Sequence, residues 1–294
     1  MHGWIVIDKP AGIGSTQAVG AVKRALRAGD YPKRRVGHGG TLDPLASGVL
    51  PIAIGEATKL AGRMLDADKV YRFAVAFGEE TDTLDAEGEV VATSPVRPAA
   101  DAIAAILPRF TGEIVQVPPA YSALKIDGQR AYARARKGEA VEPRPRAVKI
   151  HALDLVEQDG ATALFEARVS KGTYIRSLAR DIARALGSAG HVAMLQRIKA
   201  GPFTLDRAIS LDKLAELGKG RALDQLLLPL VAGLDDIPAL AITSDQAGRL
   251  RQGLRLVGIA ASPGLHLAID GNEPVALVEV AGSEARVVRG FTFE

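Results

Sequence analysis

The chain has 294 residues, of which 47% are apolar and 24% charged, with a formal net charge of +3; these values are typical of a globular protein with one large domain and one small one. The absence of cysteine excludes disulfides, thiolate metal sites and a cysteine nucleophile. Asp8 places a charge early in the N-terminus and no apolar run reaches the ~18 residues of a membrane helix, so we expect a cytoplasmic protein without a signal peptide.

The first two predicted elements are a strand and a helix. Trp4–Ile7 is short, apolar and rich in β-branched residues, which is typical of a strand. The next segment predicts a helix, with Ser15 or Thr16 as its N-cap. The apolar face of this helix consists of Val19, Val22 and Leu26. A basic loop, Lys33–Arg35, leads from the helix into a glycine-rich segment.

Strands and helices alternate through the middle of the chain, and the composition then changes. The predicted strands are Tyr71–Phe77, Val148–Val156 and Thr162–Lys171, and the predicted helices are Asp101–Leu107 and Ser177–Leu186. Leu226–Pro229 and Asp235–Pro238 are predicted as a linker, and short strands follow from about Leu265 to Phe293. We therefore expect a large domain of helices and strands and a small β-rich C-terminal module.

Charge is distributed in blocks along the chain. Met1–Arg63 has nine basic and four acidic residues, Met64–Val117 has four and ten, and Pro118–Ile150 has eight and three. The last block is bracketed by prolines and includes a predicted basic helix at Gly128–Lys137, which is typical of a mobile loop over a ligand. Two basic blocks around an acidic one indicate a surface that binds a polyanion such as nucleic acid.

The sequence lacks the motifs of several enzyme classes. It has no phosphate-binding Gly-Lys-Ser/Thr loop, no dinucleotide-binding glycine fingerprint and no serine elbow. Its five histidines are scattered and show no metal-ligand spacing. We therefore expect chemistry that uses neither a cofactor nor a metal.

One glycine-rich segment, Gly37–Gly48, remains as a candidate for chemistry. Three glycines in four residues permit tight turns and the close approach of a ligand. Asp43 precedes Pro44, which favours an extended, projecting carboxylate. Taken alone, this pattern indicates a loop or capping carboxylate as readily as a catalytic one.

Five separate motifs place that segment in a wider pattern. They are Asp8–Pro10, Gly37–Pro51, Gly55–Lys59, Tyr71-Arg72 and Lys171–Arg176. In these motifs and in their order the chain, from about Trp4 to Asp206, resembles the bacterial TruB family, the tRNA pseudouridine-55 synthases. The resemblance implies an α+β catalytic domain of residues 1–232 with a central mixed, mainly antiparallel sheet. It also implies an RNA-binding loop at about 118–150 and a PUA-like RNA-binding module at 237–294.

The resemblance implies a reaction as well. One uridine, at position 55 in the T-loop of tRNA, is flipped out of its stack, its C1′–N1 bond breaks, and C5 bonds to the same ribose carbon. No atoms are gained or lost, which agrees with the missing cofactor and metal motifs. The expected partner is the T-arm of tRNA, with no requirement for a partner protein.

The family motifs also imply the residues of the site. Asp43 is the expected nucleophile, whether it attacks C6 or C1′ or assists glycal formation, and Arg176 is expected to fix it through two parallel hydrogen bonds. Tyr71 is expected to stack on the flipped uracil and to handle a proton. The other expected substrate contacts are His38, Tyr174, Leu195, Lys9 and Lys59, the two lysines as supports for a loop or for phosphate. The expected RNA contacts in the basic block are Arg134, Arg136 and Lys137.

Three alternatives remain open at this point. The chain is a non-catalytic RNA-binding or RNA-folding protein in the first, and a guide-RNA-dependent relative that shares the motifs in the second. The third, a hydrolase, needs two cooperating carboxylates and a water, and only Asp43 lies in a motif.

Overall fold

The computed structural model describes residues 1–121 and 143–293, and the backbone of residues 125–126 and 129–130. No helix in these residues has the length and apolar character to cross a membrane. The predicted RNA contacts Arg134, Arg136 and Lys137 lie outside the described residues. Of the helix predicted at 128–137, the described part, Gln129–Arg130, instead pairs as a strand with Lys125–Ile126.

The described elements alternate between strands and helices. The strands are β1 (Gly3–Lys9), β2 (Val36–His38), β3 (Ser47–Ile54), β4 (Lys69–Phe77), β5 (Glu79–Thr81), β6 (Val90–Thr93), β7 (Gly112–Gln116), β8 (Lys125–Ile126), β9 (Gln129–Arg130), β10 (Arg146–Asp159), β11 (Thr162–Val169), β12 (Gly190–Ala200), β13 (Phe203–Thr204), β14 (Leu228–Pro229), β15 (Ala239–Ala241), β16 (Leu256–Val257), β17 (Gly264–Asp270), β18 (Glu273–Ala281) and β19 (Glu284–Gly290). The helices are α1 (Ser15–Ala28), α2 (Ala61–Asp66), α3 (Ala100–Ile106), α4 (Ile175–Ala185), α5 (Leu211–Lys219) and α6 (Ser244–Arg251).

A ten-stranded sheet forms the centre of the described molecule. Its path runs β14-β1-β3-β12-β4-β11-β10-β7, with β2 paired to β3 and β13 paired to β12. The pairing of β3 with β12 is parallel, and the other neighbours are antiparallel. The predicted α+β fold with a mixed, mainly antiparallel sheet is therefore confirmed. The predicted strand pair around Asp159-Gly160 is also confirmed, as β10 and β11.

Helix α1 packs its apolar face on the sheet as predicted, but its N-cap is different. Val19, Val22 and Leu26 are buried in the main core. The N-cap is Gly14, whose amide donates a hydrogen bond to the Gln17 side chain. Ser15 lies inside the helix, and its hydroxyl is buried and hydrogen-bonded elsewhere. The prediction of Ser15 or Thr16 as N-cap was therefore wrong.

The C-terminal module is a second sheet of five strands, in the order β15-β17-β18-β19-β16. It has its own core and also packs on the large sheet, since Leu267, Leu277 and Phe291 share a buried cluster with Trp4. This arrangement agrees with the expected PUA-like module. The boundaries of the two predicted domains, 1–232 and 237–294, stay a prediction.

The segment predicted as a linker is packed against the large sheet. Leu228 pairs with Trp4 across β14 and β1, and the Trp4 indole donates a hydrogen bond of 3.1 Å to the Leu230 carbonyl. Leu230 and Leu234 are buried. Leu230 and Leu234 are therefore core residues, and burial of their apolar side chains holds this segment in place.

Candidate active site

A cleft of about 270 Å³ brings together five of the residues predicted from the sequence. They are Asp43, Tyr71, Tyr174, Arg176 and Leu195. Its volume is close to the lower end, about 300 Å³, of the range found for small-molecule pockets. Strands β4 and β12, the loop before β3, and the start of α4 each contribute to its lining.

The residues on either side of Asp43 are fixed by hydrogen bonds. The Leu42 amide donates to the Ser15 hydroxyl at 2.8 Å, and that hydroxyl donates back to the Leu42 carbonyl at 3.0 Å. The Pro44 carbonyl accepts from the Lys9 ammonium at 3.4 Å. The backbone at Asp43 is therefore positioned before any substrate binds, which is a condition for efficient catalysis.

Arg197 fixes the beginning of the same loop and is 1% exposed. Its guanidinium donates to the carbonyls of Val49, Gly40 and Thr41 at 2.8, 3.1 and 3.3 Å. Gly48 has a φ of +101°, and a Cβ there would lie 2.2 Å from the Arg197 carbonyl oxygen. Only glycine fits at that position. The sequence had indicated that the loop glycines permit the close approach of a ligand. In the structure, Arg197 of the protein itself occupies part of the space beside Gly40 and Gly48.

Arg176 lies between two carboxylates and is 5% exposed. Its Nη2 is 2.7 Å from Asp43 Oδ2, and its Nη1 is 3.2 Å from Asp85 Oδ2. It also donates to the carbonyls of Thr83 and Tyr121, each at 3.0 Å. The predicted pair of parallel hydrogen bonds to Asp43 is wrong, because the guanidinium divides its donors among four groups. A single bond joins Arg176 to Asp43.

Helix α4 begins two residues before its predicted start, and this difference buries Arg176. Its N-cap is Tyr174, so Arg176 belongs to the first turn. The buried Gln116 side chain holds the Tyr174 backbone, accepting from its amide at 3.1 Å and donating to its carbonyl at 3.3 Å. The Arg146 guanidinium lies 4.6 Å from the centroid of the Tyr174 ring. A cation at that distance is attracted to the ring face and helps to orient it.

Tyr71 and Leu195 project into the cleft from neighbouring strands. Tyr71 on β4 lies opposite Arg197 on β12, and Leu195 lies opposite Phe73. Tyr71 is half-buried and Leu195 is buried. These two side chains give the cleft an aromatic and an aliphatic surface on a rigid part of the sheet.

Two lysines near the cleft have a lowered pKa. Burial, with the nearby charge of Arg197, lowers the pKa of Lys9 to about 8 although Asp43 opposes the change. Burial, again with Arg197, lowers the pKa of Lys69 to about 8. The Lys69 ammonium donates to the carbonyls of Leu65 and Ala67, and its side chain lines the cleft.

Three predicted substrate contacts do not line the cleft. Lys9 is fully buried, and its ammonium donates to the carbonyls of Pro10, Ile13 and Pro44, so it supports the loop. Lys59 pairs with Glu56 at 2.6 Å and donates to the Gly290 carbonyl at 2.9 Å, so it joins the C-terminal module to the large domain. His38 lies at the end of β2, paired with Ile52 on β3.

Sequence reasoning missed Lys69, Asp85 and Arg197. Asp85 lies in the acidic block, where only its neighbour in space, Arg176, distinguishes it from the surface carboxylates. Lys69 precedes Tyr71 by two residues and therefore shares its face of β4. The two-residue period of a strand could thus have identified Lys69 from the sequence. In the described residues, no group of three or more metal-ligating side chains is arranged to hold a metal ion.

Comparison with known proteins gives matches over the whole chain. Residues 27–175 match the family model described as TruB family pseudouridylate synthase (N terminal domain), and residues 176–235 match the tRNA pseudouridylate synthase B C-terminal domain. A protein of Zymomonas mobilis subsp. mobilis named tRNA pseudouridine synthase B is 60% identical over 100% of this chain and 97% of its own length. A protein of the same name from Novosphingobium aromaticivorans is 60% identical over 100% of this chain and 98% of its own length.

Solved structures share the fold at lower identity. A chain of an H/ACA RNP bound to a substrate RNA containing 2'-deoxyuridine matches with a TM-score of 0.75 and 25% identity, over 99% of this chain and 85% of that one. A chain of a Cbf5-Nop10-Gar1 complex matches with a TM-score of 0.74 and 27% identity, over 99% and 85%.

Proposed function

The chain belongs to the TruB family of pseudouridylate synthases, and we propose that it converts the T-loop uridine at position 55 of tRNA to pseudouridine, with Asp43 as its nucleophile. It is a pseudouridine synthase by its family models and by full-length relatives at 60% identity. The name of those relatives supports tRNA as the substrate. The structure of the cleft supports the role of Asp43.

The observation that carries the proposal is the state of the Asp43 carboxylate. Its side chain is 35% exposed in a cleft whose neighbouring Arg176 and Asp85 are almost wholly buried. One oxygen, Oδ2, is held by Arg176, while Oδ1 accepts no hydrogen bond from any residue that the structure describes. A carboxylate that is anchored at one oxygen and open at the other is suited to nucleophilic attack.

The reaction that Asp43 would perform is an isomerisation in which all atoms balance. The C1′–N1 bond of uridine breaks, the uracil turns, and a C5–C1′ bond forms; the hydrogen at C5 is lost as a proton and N1 gains one. Asp43 attacks C6 or C1′, or assists formation of a glycal. In each route the buried Arg176 would hold the carboxylate in place through Oδ2.

The other cleft residues are suited to hold the base while it is detached. Tyr71 offers an aromatic face for stacking, Leu195 an apolar surface, and Tyr174 a second aromatic ring. Because the cleft is the size of a small-molecule pocket, a uridine would have to leave the RNA stack to enter it. The Tyr71 hydroxyl is a candidate for the proton transfer at C5.

The guide-RNA-dependent alternative is less well supported. Relatives named tRNA pseudouridine synthase B are 60% identical along the whole chain, whereas the chains from H/ACA and Cbf5-containing complexes are 25–27% identical. We therefore propose that the protein acts on the T-arm of tRNA in the cytoplasm, without a guide RNA or a partner protein.

The test is incubation of the purified protein with an unmodified tRNA transcript and no other macromolecule, followed by mapping of pseudouridine along the RNA. The proposal expects one pseudouridine, at position 55. A transcript that is bound but unmodified would support the RNA-binding or guide-dependent alternative. A transcript modified at another position would contradict the proposed substrate site.

A further inference from the structure

A basic groove of about 780 Å³ lies beside the start of the glycine-rich segment Gly37–Gly48. It is separate from the cleft described above. Helix α1 contributes Lys23, Leu26 and Arg27 to it, residues 31–37 contribute a second part of its lining, and Thr58 and Ala61 complete it. Lys23 and Arg27 are one helical turn apart and therefore share a face. The residues that form this groove, hereafter the α1 groove, include five cations and no carboxylate; the cations are Lys23, Arg27, Lys33, Arg34 and Arg35.

Four of the five cations of the α1 groove are open to solvent. Lys23, Arg27, Lys33 and Arg35 are exposed, and none forms an ion pair with a carboxylate in the part of the chain that the structure describes. Cations grouped in this way repel one another, and binding of a polyanion relieves that repulsion.

Three of the five arginines of the C-terminal module differ, because each of them is paired with a carboxylate. Arg251 pairs with Glu273 at 2.8 Å, and Arg255 and Arg286 both pair with Glu284, at 2.9 and 3.0 Å. Their charge is compensated within the module. The α1 groove instead groups four exposed cations that form no ion pair among the described residues, although the C-terminal module is the part expected to bind RNA from the resemblance.

The α1 groove is formed before any ligand binds. The Tyr31 hydroxyl donates to Asp224 at 3.1 Å and accepts from the Leu223 amide at 3.0 Å, which fixes the loop after α1. The Arg35 carbonyl accepts from the Gly55 amide at 2.8 Å. The apolar lining beneath the cations, which includes Leu26 and Pro32, gives the groove a floor against which a ribose can pack.

The number of residues between the α1 groove and Asp43 sets an upper limit on the distance between them. Gly37 lines the groove, and Asp43 follows it six residues later. At no more than ~3.6 Å per residue, the two lie within about 22 Å of each other. That distance corresponds to about six nucleotide steps at the ~3.4 Å rise of one strand of a duplex.

We propose that the α1 groove binds the sugar–phosphate backbone of the tRNA T-arm, a few nucleotides from the uridine in the cleft. The inference rests on the proposed function for the identity of the polyanion. Cations that contact phosphates position the RNA without reading its sequence. The groove would thus align the T-arm while the cleft receives the flipped nucleotide.

The test replaces three groove cations together, in the variant Lys23→Gln, Arg27→Gln, Lys33→Gln. Its Kd for an unmodified tRNA transcript and for an isolated T-arm hairpin is measured over a series of salt concentrations. Each lost phosphate contact lowers the slope of log K against log salt by about 0.7–0.9, so we expect a slope smaller by about 2 and a Kd raised at least about tenfold at low salt. The rate of pseudouridine formation at saturating protein is expected to stay within about twofold of wild type.

Two controls separate the charge effect from a structural one. Arg24→Gln removes an exposed cation from the same helix outside the α1 groove and is expected to leave the slope unchanged. The charge-conserving variant Lys23→Arg, Arg27→Lys, Lys33→Arg is expected to retain the wild-type slope. A triple glutamine variant that binds like Arg24→Gln would overturn the proposal and favour a different partner, such as an acidic protein.

The same experiment keeps this inference distinct from the proposed function. A loss of affinity for intact tRNA that is absent with the T-arm hairpin would contradict the placement of the α1 groove beside the reacting uridine. If wild-type protein forms no pseudouridine, the proposed function fails, while the binding measurements still decide whether the groove holds RNA.

Discussion

Nη2 of Arg176 lies 2.7 Å from Oδ2 of Asp43, and this single hydrogen bond joins a buried cation to a half-exposed carboxylate. The other side of the guanidinium contacts Asp85, whose Oδ1 is in turn held by the Thr83 hydroxyl at 2.6 Å and the Glu87 amide at 3.1 Å. Asp43 is therefore the outermost member of a fixed chain of charges. The position of the Asp43 carboxylate therefore depends on the buried Arg176 and, through it, on Asp85.

Replacing Arg176 with lysine tests that dependence. A lysine ammonium cannot reach two carboxylates and two carbonyls at once, so Arg176→Lys leaves Asp43 poorly positioned. We expect kcat to fall at least about 100-fold, with the Kd for tRNA changed less than about threefold. The matched control is Arg180→Lys on the same helix, whose partner is the adjacent Asp181. Equal kcat values for the two variants would contradict the proposed role of Arg176.

Replacing Gly48 with alanine tests the packing of the glycine-rich segment Gly37–Gly48 on Arg197. The new Cβ would lie 2.2 Å from a backbone oxygen at a φ of +101°, so the strands must separate. We expect Gly48→Ala to lower the free energy of unfolding by at least about 2 kcal/mol, measured by urea denaturation. Gly62 in α2 has no atom within 4 Å of a Cβ placed on it in the same way, and Gly62→Ala is expected to be neutral or stabilising. Similar losses in both variants would show that the contact with Arg197 is not the cause.

The lowered pKa of Lys69 makes a prediction about pH and stability. Its pKa is about 8 in the folded protein, against 10.5 for a lysine free in water, so the unfolded chain binds more protons between these values. Lys69 therefore adds stability as pH rises from about 8 to about 10.5, and this contribution is lost as pH falls through the same range. The free energy of unfolding of wild type and of Lys69→Met is measured by urea denaturation across that range. We expect the value for wild type to rise relative to that for Lys69→Met as the pH rises. A constant difference would contradict the lowered pKa.

Phe291 tests whether the C-terminal module and the large domain unfold together. It is 3% exposed and lies in the cluster that also contains Trp4. Phe291→Ala is expected to lower the free energy of unfolding by about 3–5 kcal/mol and to move the transition of the whole chain. Phe293→Ala, at a side chain that is 37% exposed, is the control and is expected to cost much less. A separate early transition in Phe291→Ala would mean that the two parts unfold independently.

Most of the fold was accessible from sequence because local patterns decide it. Tyr71–Phe77 and α1 each bury one face. Their apolar residues therefore recur with the period of a strand or of a helix, and this pattern is visible in the sequence. The linker prediction failed for the opposite reason. Leu228 and Leu230 show no periodicity, and their burial depends on Trp4, more than two hundred residues earlier in the chain.

The candidate site was predictable where a motif contains the residue. Asp43, Tyr71, Tyr174 and Arg176 belong to the five motifs and line one cleft, which Leu195, from outside the motifs, lines as well. Lys59 was assigned to substrate although its partners, Glu56 and Gly290, lie at a contact between domains that the motif does not reveal. Asp85 and Arg197 were missed because their importance arises from partners distant in sequence.

The central claim is that the carboxylate of Asp43 performs the chemistry, and the most direct test is the variant Asp43→Asn. Single-turnover pseudouridine formation on an unmodified tRNA transcript is measured beside the Kd for the same RNA, with Asp66→Asn, an exposed partner of Lys171, as the matched control. We predict no pseudouridine from Asp43→Asn, a Kd within about twofold of wild type, and full activity from Asp66→Asn. Formation of pseudouridine by Asp43→Asn at the wild-type rate would contradict the account.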